Sequence, residues 1–187
     1  MILTGHAIEQ GVLERKIRIA PFVPDQVNPN SYDLRLAPRL LVYRDRELDV
    51  ARNNPVDEVI IPPDGIILQP DRIYLGGSME YIGSDHYVPI VRAKSSLARL
   101  GLFIHVTADL IDIGSHGPTT FQLHSVAPLR VYPQMRIAQV AYWVPRGKVR
   151  LYDGKYSPAE APMASQAYRD FATKGNEEDT ADDTSER

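Results

Sequence analysis

The sequence predicts a mainly β fold, a distorted jelly roll or β-barrel with one or two short helices. Short β-rich runs follow one another closely, with turn signals between them. No long helical periods alternate with those runs, which sets aside an α/β sheet. Fifteen prolines are spread through the 187 residues, and each interior proline breaks a helix, so a helical bundle is excluded.

The elements follow in order. Thr4 is an N-cap for a helix over about 5–13, with Ile8, Val12 and Leu13 on its inner face. Alternation marks a strand at 32–36, and β-rich composition marks 40–43 and 59–61. Strands at 66–68 and 73–75 follow Pro-Asp-Gly and Pro-Asp turn signals. Further strands are predicted at 87–93, 102–107, 119–124, 129–131, 137–144 and 148–152, with a short helix at 95–100. No internal repeat and no second domain is visible, so residues 1–174 read as one domain.

Composition narrows the function. Without cysteine there is no disulfide framework, no thiol catalysis and no Cys-ligated metal. No apolar run approaches a membrane span, and the first ten residues lack a basic region followed by a hydrophobic stretch. The expected address is cytoplasmic, with no membrane partner. Six acids against one Arg put −5 on residues 175–187; the whole chain carries −3, which leaves +2 on the first 174. That tail has no large apolar residue and is expected to be disordered. A near-neutral body without a basic stripe does not predict a nucleic-acid partner.

Known catalytic signatures are missing. Neither G-x-G-x-x-G nor G-x-x-x-x-G-K-[ST] occurs, so dinucleotide and P-loop sites are not signalled. G-x-S-x-G and H-E-x-x-H are absent, and the five histidines (6, 86, 105, 116 and 124) show no ligand spacing, so each reads as a surface or core residue. The zinc-deaminase signature requires cysteines, which the chain lacks.

Four segments look constrained. Residues 28–36, NPNSYDLRL, are a turn feeding a strand. In 94–102, KSSLARLGL, two hydroxyls open a helical turn between Lys94 and Arg99, which fits either a phosphate cradle or an ordinary capped turn. In 105–114, HVTADLIDIG, Asp112 stands before a glycine turn, where it could accept from a sugar hydroxyl, orient a water or simply shape the turn. Residues 136–140, RIAQV, read as an ordinary strand.

In that order these segments resemble the dCTP deaminase branch of the trimeric dUTPase superfamily, from the first residue to about 170, with S-S-x-A-R-x-G-L the most specific motif. The resemblance implies a dUTPase-like jelly roll, a homotrimer with sites between subunits, and a deoxynucleoside triphosphate (dCTP, dUTP or dTTP) as partner. It places Lys94, Ser95, Ser96 and Arg99 on the triphosphate, with Ser95 also positioning the attacking water and Arg99 beside the catalytic carboxylate. The Ala108 carbonyl would help bind that water, and Asp112 would meet the deoxyribose. Thr120, Phe121 and Gln122 would line the base pocket, and Tyr152 and Lys155 would belong to a C-terminal lid over about 152–174. Magnesium would come with the triphosphate, and no zinc or protein-held metal is implied.

Gln122 departs from the family at the position of its catalytic Glu. An amide has no usable basicity, and losing a positioned general base costs about 10²–10⁴-fold in rate. Lys94 replaces the usual Arg, keeping charge without the bidentate fork. Asp109 stands where related deaminases often have His. Ile113 and Ser115 replace a Pro and an aromatic, while Ala159, Ala161 and Gln166 replace Gln, Gly and Arg of the lid. Three readings remain open: a dCTP deaminase with impaired activity, yielding dUTP and ammonia; a dUTPase-like pyrophosphohydrolase using Asp112; and a non-catalytic nucleotide-binding trimer.

Overall fold

The computed structural model describes residues 1–172 apart from Val106, Ser157 and Pro158. The acidic stretch 175–187 and the end of the expected lid lie outside the described residues.

Helix α1 (Gly5–Leu13) opens the chain. The Thr4 hydroxyl accepts from the Ala7 amide at 3.3 Å, satisfying one of the helix's free donors. Ile8 and Gly11 are buried, but Leu13 is 74% exposed. Leu13 sits about 140° round the helix from Ile8, which takes it off the inner face where the sequence reading had put it.

Eleven strands follow among the described residues: β1 (Arg18–Ala20), β2 (Val27–Asn28), β3 (Ser31–Tyr43), β4 (Val56–Ile60), β5 (Ile66–Leu68), β6 (Tyr74–Gly83), β7 (Val88–Ala93), β8 (Leu102–Phe103), β9 (His116–Ser125), β10 (Leu129–Val131) and β11 (Arg136–Trp143). Two short helices, α2 (Ser95–Ala98) and α3 (Arg169–Ala172), complete the order. The fold is mainly β, as the composition requires. One sheet runs β7-β11-β3-β6-β9-β8, with β1 on β6 and both β2 and β4 on β3; β5 and β10 pair separately. Every pairing in that path is antiparallel, and the sheet curls into a nearly closed barrel.

The predicted strands 32–36 and 40–43 are one strand, β3. Pro38 sits at a register shift between Leu36 and Leu40, where its missing amide removes no ladder bond and its carbonyl accepts from Ile61. Strand β6 runs far beyond the predicted 73–75 because two glycines hid it. A Cβ on Gly76 would lie 2.8 Å from a Leu36 methyl, so the bare backbone is what lets β3 side chains pack there. Of the predicted strand 102–107, in which Val106 lies outside the described residues, only Leu102–Phe103 among those described is extended in a ladder, and 148–152 forms no strand. Past Phe103 the Ile104 carbonyl still accepts from the Gln122 amide of β9 at 2.8 Å, and the Tyr152 amide donates to the Ile113 carbonyl at 2.8 Å, single bonds that do not extend into ladders.

The core lies inside the curled sheet. Tyr32, Leu34, Leu36, Phe121, Leu123 and Tyr142 are fully buried, each aliphatic side chain contributing about 1.5–3 kcal/mol. Two carboxylates are buried with them. Glu80 accepts from the Arg35 amide at 2.8 Å, from Arg35 Nε at 2.7 Å and from Gln26 Nε2 at 3.1 Å. Asp33 accepts from Lys94 Nζ at 2.6 Å and from Asn28 Nδ2 at 2.9 Å. These donors tie β3 to β6 and to the start of α2.

Candidate active site

Strand β9 alternates. Phe121, Leu123 and Ser125 point into the core, so Thr120 and Gln122 point to the other face. That face borders a cavity of about 560 Å³. The loop after β8 supplies His105, Thr107 and Ala108 to it, β6 supplies Leu75 and Ile82, and the chain near its C-terminus returns to supply Met163, Ala164 and Ser165.

Specific contacts hold that returning segment. The Met163 amide donates to Thr120 Oγ1 at 3.1 Å, and the Ser165 amide donates to the Tyr43 hydroxyl at 3.0 Å. Gly117 lets it approach: a Cβ there would stand 2.7 Å from both the Cβ and the carbonyl oxygen of Ala159. The cavity wall is therefore built from the same stretch that the sequence reading assigned to a lid.

Both ends of the Gln122 amide are engaged. Its Nε2 donates to the Thr120 carbonyl at 2.8 Å, and its Oε1 lies 2.7 Å from His105 Nδ1. Since a carbonyl only accepts, the amide orientation is fixed and His105 must be the donor through Nδ1–H. Burial of His105 pushes its pKa below the ordinary histidine value, although the Gln122 bond and the charge of Asp109 act the other way. The imidazole is thus neutral, with a lone pair on Nε2. That nitrogen is buried and has no hydrogen-bond partner among the described residues.

The structure brings Ala108, Thr120 and Gln122 together at the cavity, but not the other expected site residues. Phe121 is fully buried in the core, on the opposite face of β9. Ser95, Ser96 and Arg99, at α2, are exposed and do not line the cavity. The Arg99 guanidinium donates to the Ser95 carbonyl at 3.0 Å, while Lys94 is turned inward onto Asp33. Asp112 is exposed and lies with Tyr152 in a separate groove of about 670 Å³, together with Arg146, Lys148 and Arg150. Lys155 pairs with Asp170.

Two histidines at the cavity were passed over in the sequence reading. His105 is seventeen residues from Gln122, and only the pairing of loop and strand joins them, so no spacing rule could have found the contact. His116 Nε2 lies 2.8 Å from Asp85 Oδ1. Its Nδ1 is also without a partner, yet a Cβ on Gly83 would lie 2.2 Å from it, so that nitrogen is pressed against backbone.

Comparison with known proteins bears on this site. The family described as dCTP deaminase-like matches residues 2–144. A protein of Cytophaga hutchinsonii named "dCTP deaminase, dUMP-forming" is 42% identical over 172 residues, covering 91% of this chain and 99% of its own. A protein of the same name from Clostridium acetobutylicum is also 42% identical over 172 residues, with the same shares. One from Leptospira biflexa is 39% identical over 175 residues, covering 93% of this chain and 100% of its own. Among solved structures, the 2'-deoxycytidine 5'-triphosphate deaminase from Agrobacterium tumefaciens superposes with a TM-score of 0.62 at 24% identity. That likeness is one of fold; it covers 77% of this chain and 48% of that one.

Proposed function

Because the chain belongs to the dCTP deaminase-like family, we propose that it hydrolyses the 4-amino group of a deoxycytidine nucleotide in the cavity beside Gln122. What supports the reading is the meeting of Ala108, Thr120 and Gln122 at one cavity, since these are the positions that the family resemblance assigns to the water and the base. Gln122 holds the base edge and His105 by hydrogen bonds but carries no proton itself, so this chain deaminates more slowly than it would with a carboxylate at 122.

The triphosphate is assigned to Lys94, Ser95, Ser96 and Arg99. In one chain these stand off the cavity, which favours a homotrimer in which a neighbouring copy supplies them. Exposed apolar side chains such as Leu100, Phe103, Leu110 and Val126 support such an assembly. Among the described residues no cluster of three or more His, Asp or Glu could hold a metal. Magnesium fits as a passenger on the phosphate oxygens and supplies charge neutralisation there.

One observation favours a second step. The relatives carry the name "dCTP deaminase, dUMP-forming", whereas the sequence alone implies dUTP as the product. Exposed Asp112 shares its groove with Arg146, Lys148 and Arg150, a setting suited to orienting water toward a phosphate chain. The test is incubation of purified protein with dCTP and with dUTP plus magnesium, followed by chromatography. Expected is loss of dCTP with a uracil nucleotide and ammonia; dUMP with pyrophosphate adds the second step. Bound dCTP with no product overturns the enzyme reading in favour of a nucleotide-binding trimer.

A further inference from the structure

A buried hydrogen-bond acceptor left without a partner is costly, and native proteins keep few of them. The cavity borders two histidines that each have one such nitrogen. His116 Nδ1 is closed off by the Gly83 backbone. His105 Nε2 is buried as well, but on a residue that borders two cavities, the one of 560 Å³ and a second of about 270 Å³, with its ring edge-on to Phe121 at 6.0 Å between centroids.

We propose that His105 is the proton carrier of this site, with Gln122 as the positioning residue that holds it in the Nδ1–H form. The proposal rests on the deaminase reading above and supplies the base which that reading leaves unassigned. As water attacks C4, the C4–O bond forms and the C4=N3 electron pair moves onto N3, while one water proton passes to His105 Nε2. The imidazolium then gives that proton to the 4-amino group. The C4–N4 bond breaks with its pair leaving on ammonia, the N3 pair restores the double bond, and the hydroxyl proton moves to N3 to give the 4-oxo base. Water and the cytosine nucleotide go in, ammonia and the uracil nucleotide come out, and His105 is regenerated.

His105 suits this cycle for three reasons. Its free nitrogen carries the lone pair because the amide geometry places the proton on Nδ1. Its burial lowers its pKa and so keeps the imidazole neutral, with the Nε2 lone pair free, near pH 7. Finally, Asp109 is the charged group acting on it, and Asp109 is itself paired with Arg92 at 2.8 Å.

The test uses dCTP and the full-length chain. His105→Asn keeps an amide donor toward Gln122 while removing Nε2. Expected is a fall in kcat of about 10²–10⁴-fold, with dCTP binding and thermal midpoint close to wild type and the acid limb of the pH–rate profile abolished. Added to Gln122→Glu, His105→Asn is expected to cost little, because a carboxylate at 122 then carries the proton. A double variant as slow as the His105→Asn single variant shows that the loss was structural, and the proposal fails. A His105→Asn single variant with undiminished kcat overturns it as well, and leaves the deaminase reading standing. Wild-type protein that binds dCTP without turnover overturns both. Nitrogen-15 spectra of the imidazole give a readout independent of activity. A proton on Nδ1 and a bare Nε2 are expected at pH 7, and the opposite tautomer sinks the proposal.

Discussion

Gln122 and His105 show how one atom changes a site. With Glu at 122 the bond to His105 joins a carboxylate to an imidazole; with Gln it joins two neutral groups. A neutral acceptor 2.7 Å away stabilises an imidazolium far less than a carboxylate does, so Gln122→Glu is expected to raise the deamination rate and to move the acid limb of the pH–rate profile upward. Steady-state rates from pH 5 to 8 check both effects. Stability has its own pH dependence. Burial lowers the folded pKa of His105, so between the folded and unfolded values the unfolded chain binds more protons. The stabilisation from keeping His105 neutral is full above about pH 6.5 and is lost as pH falls through the lowered folded value. Urea midpoints should decline over that acid range in wild type, and less so in His105→Asn. None of this was legible in the sequence, where His105 looked like any other histidine; Gln122 was legible because a motif surrounds it.

At the scale of elements, β3 and β6 carry the frame on which the cavity stands. Glu80 on β6 accepts three hydrogen bonds, two from Arg35 on β3 and one from Gln26. Glu80→Ala leaves Arg35 and Gln26 without their buried acceptor, at an expected cost of about 3–5 kcal/mol read from chemical denaturation. Gly117→Val should act differently. Its side chain drives into Ala159 on the cavity wall, so dCTP affinity should fall with little change in the unfolding midpoint of the sheet; titration calorimetry beside a thermal melt separates the two. The strand at 32–36 was readable in the sequence because apolar Tyr32, Leu34 and Leu36 alternate with Asp33 and Arg35, and all three apolar side chains are fully buried. Strand β6 was not, since the glycines that let Leu36 and Pro162 approach carry no β signal of their own. The inward turn of Lys94 onto Asp33 was equally hidden, because it depends on β3 and α2 meeting.

For the whole molecule, the cavity and the serine-rich turn at 94–99 stand apart on one chain. Sedimentation should show a trimer, and a stable monomer at working concentration removes the assignment of Ser95, Ser96 and Arg99 to the phosphates. Such a division has a genetic consequence. A subunit spoiled at Arg99 and another spoiled at His105 are damaged in different halves of a shared site. Unfolded together, refolded and reassembled at random, two dead parents would form mixed rings in which about a quarter of the sites join two sound halves. Activity reborn from that mixture, and from neither parent alone, would show that the catalytic unit is the seam between two copies.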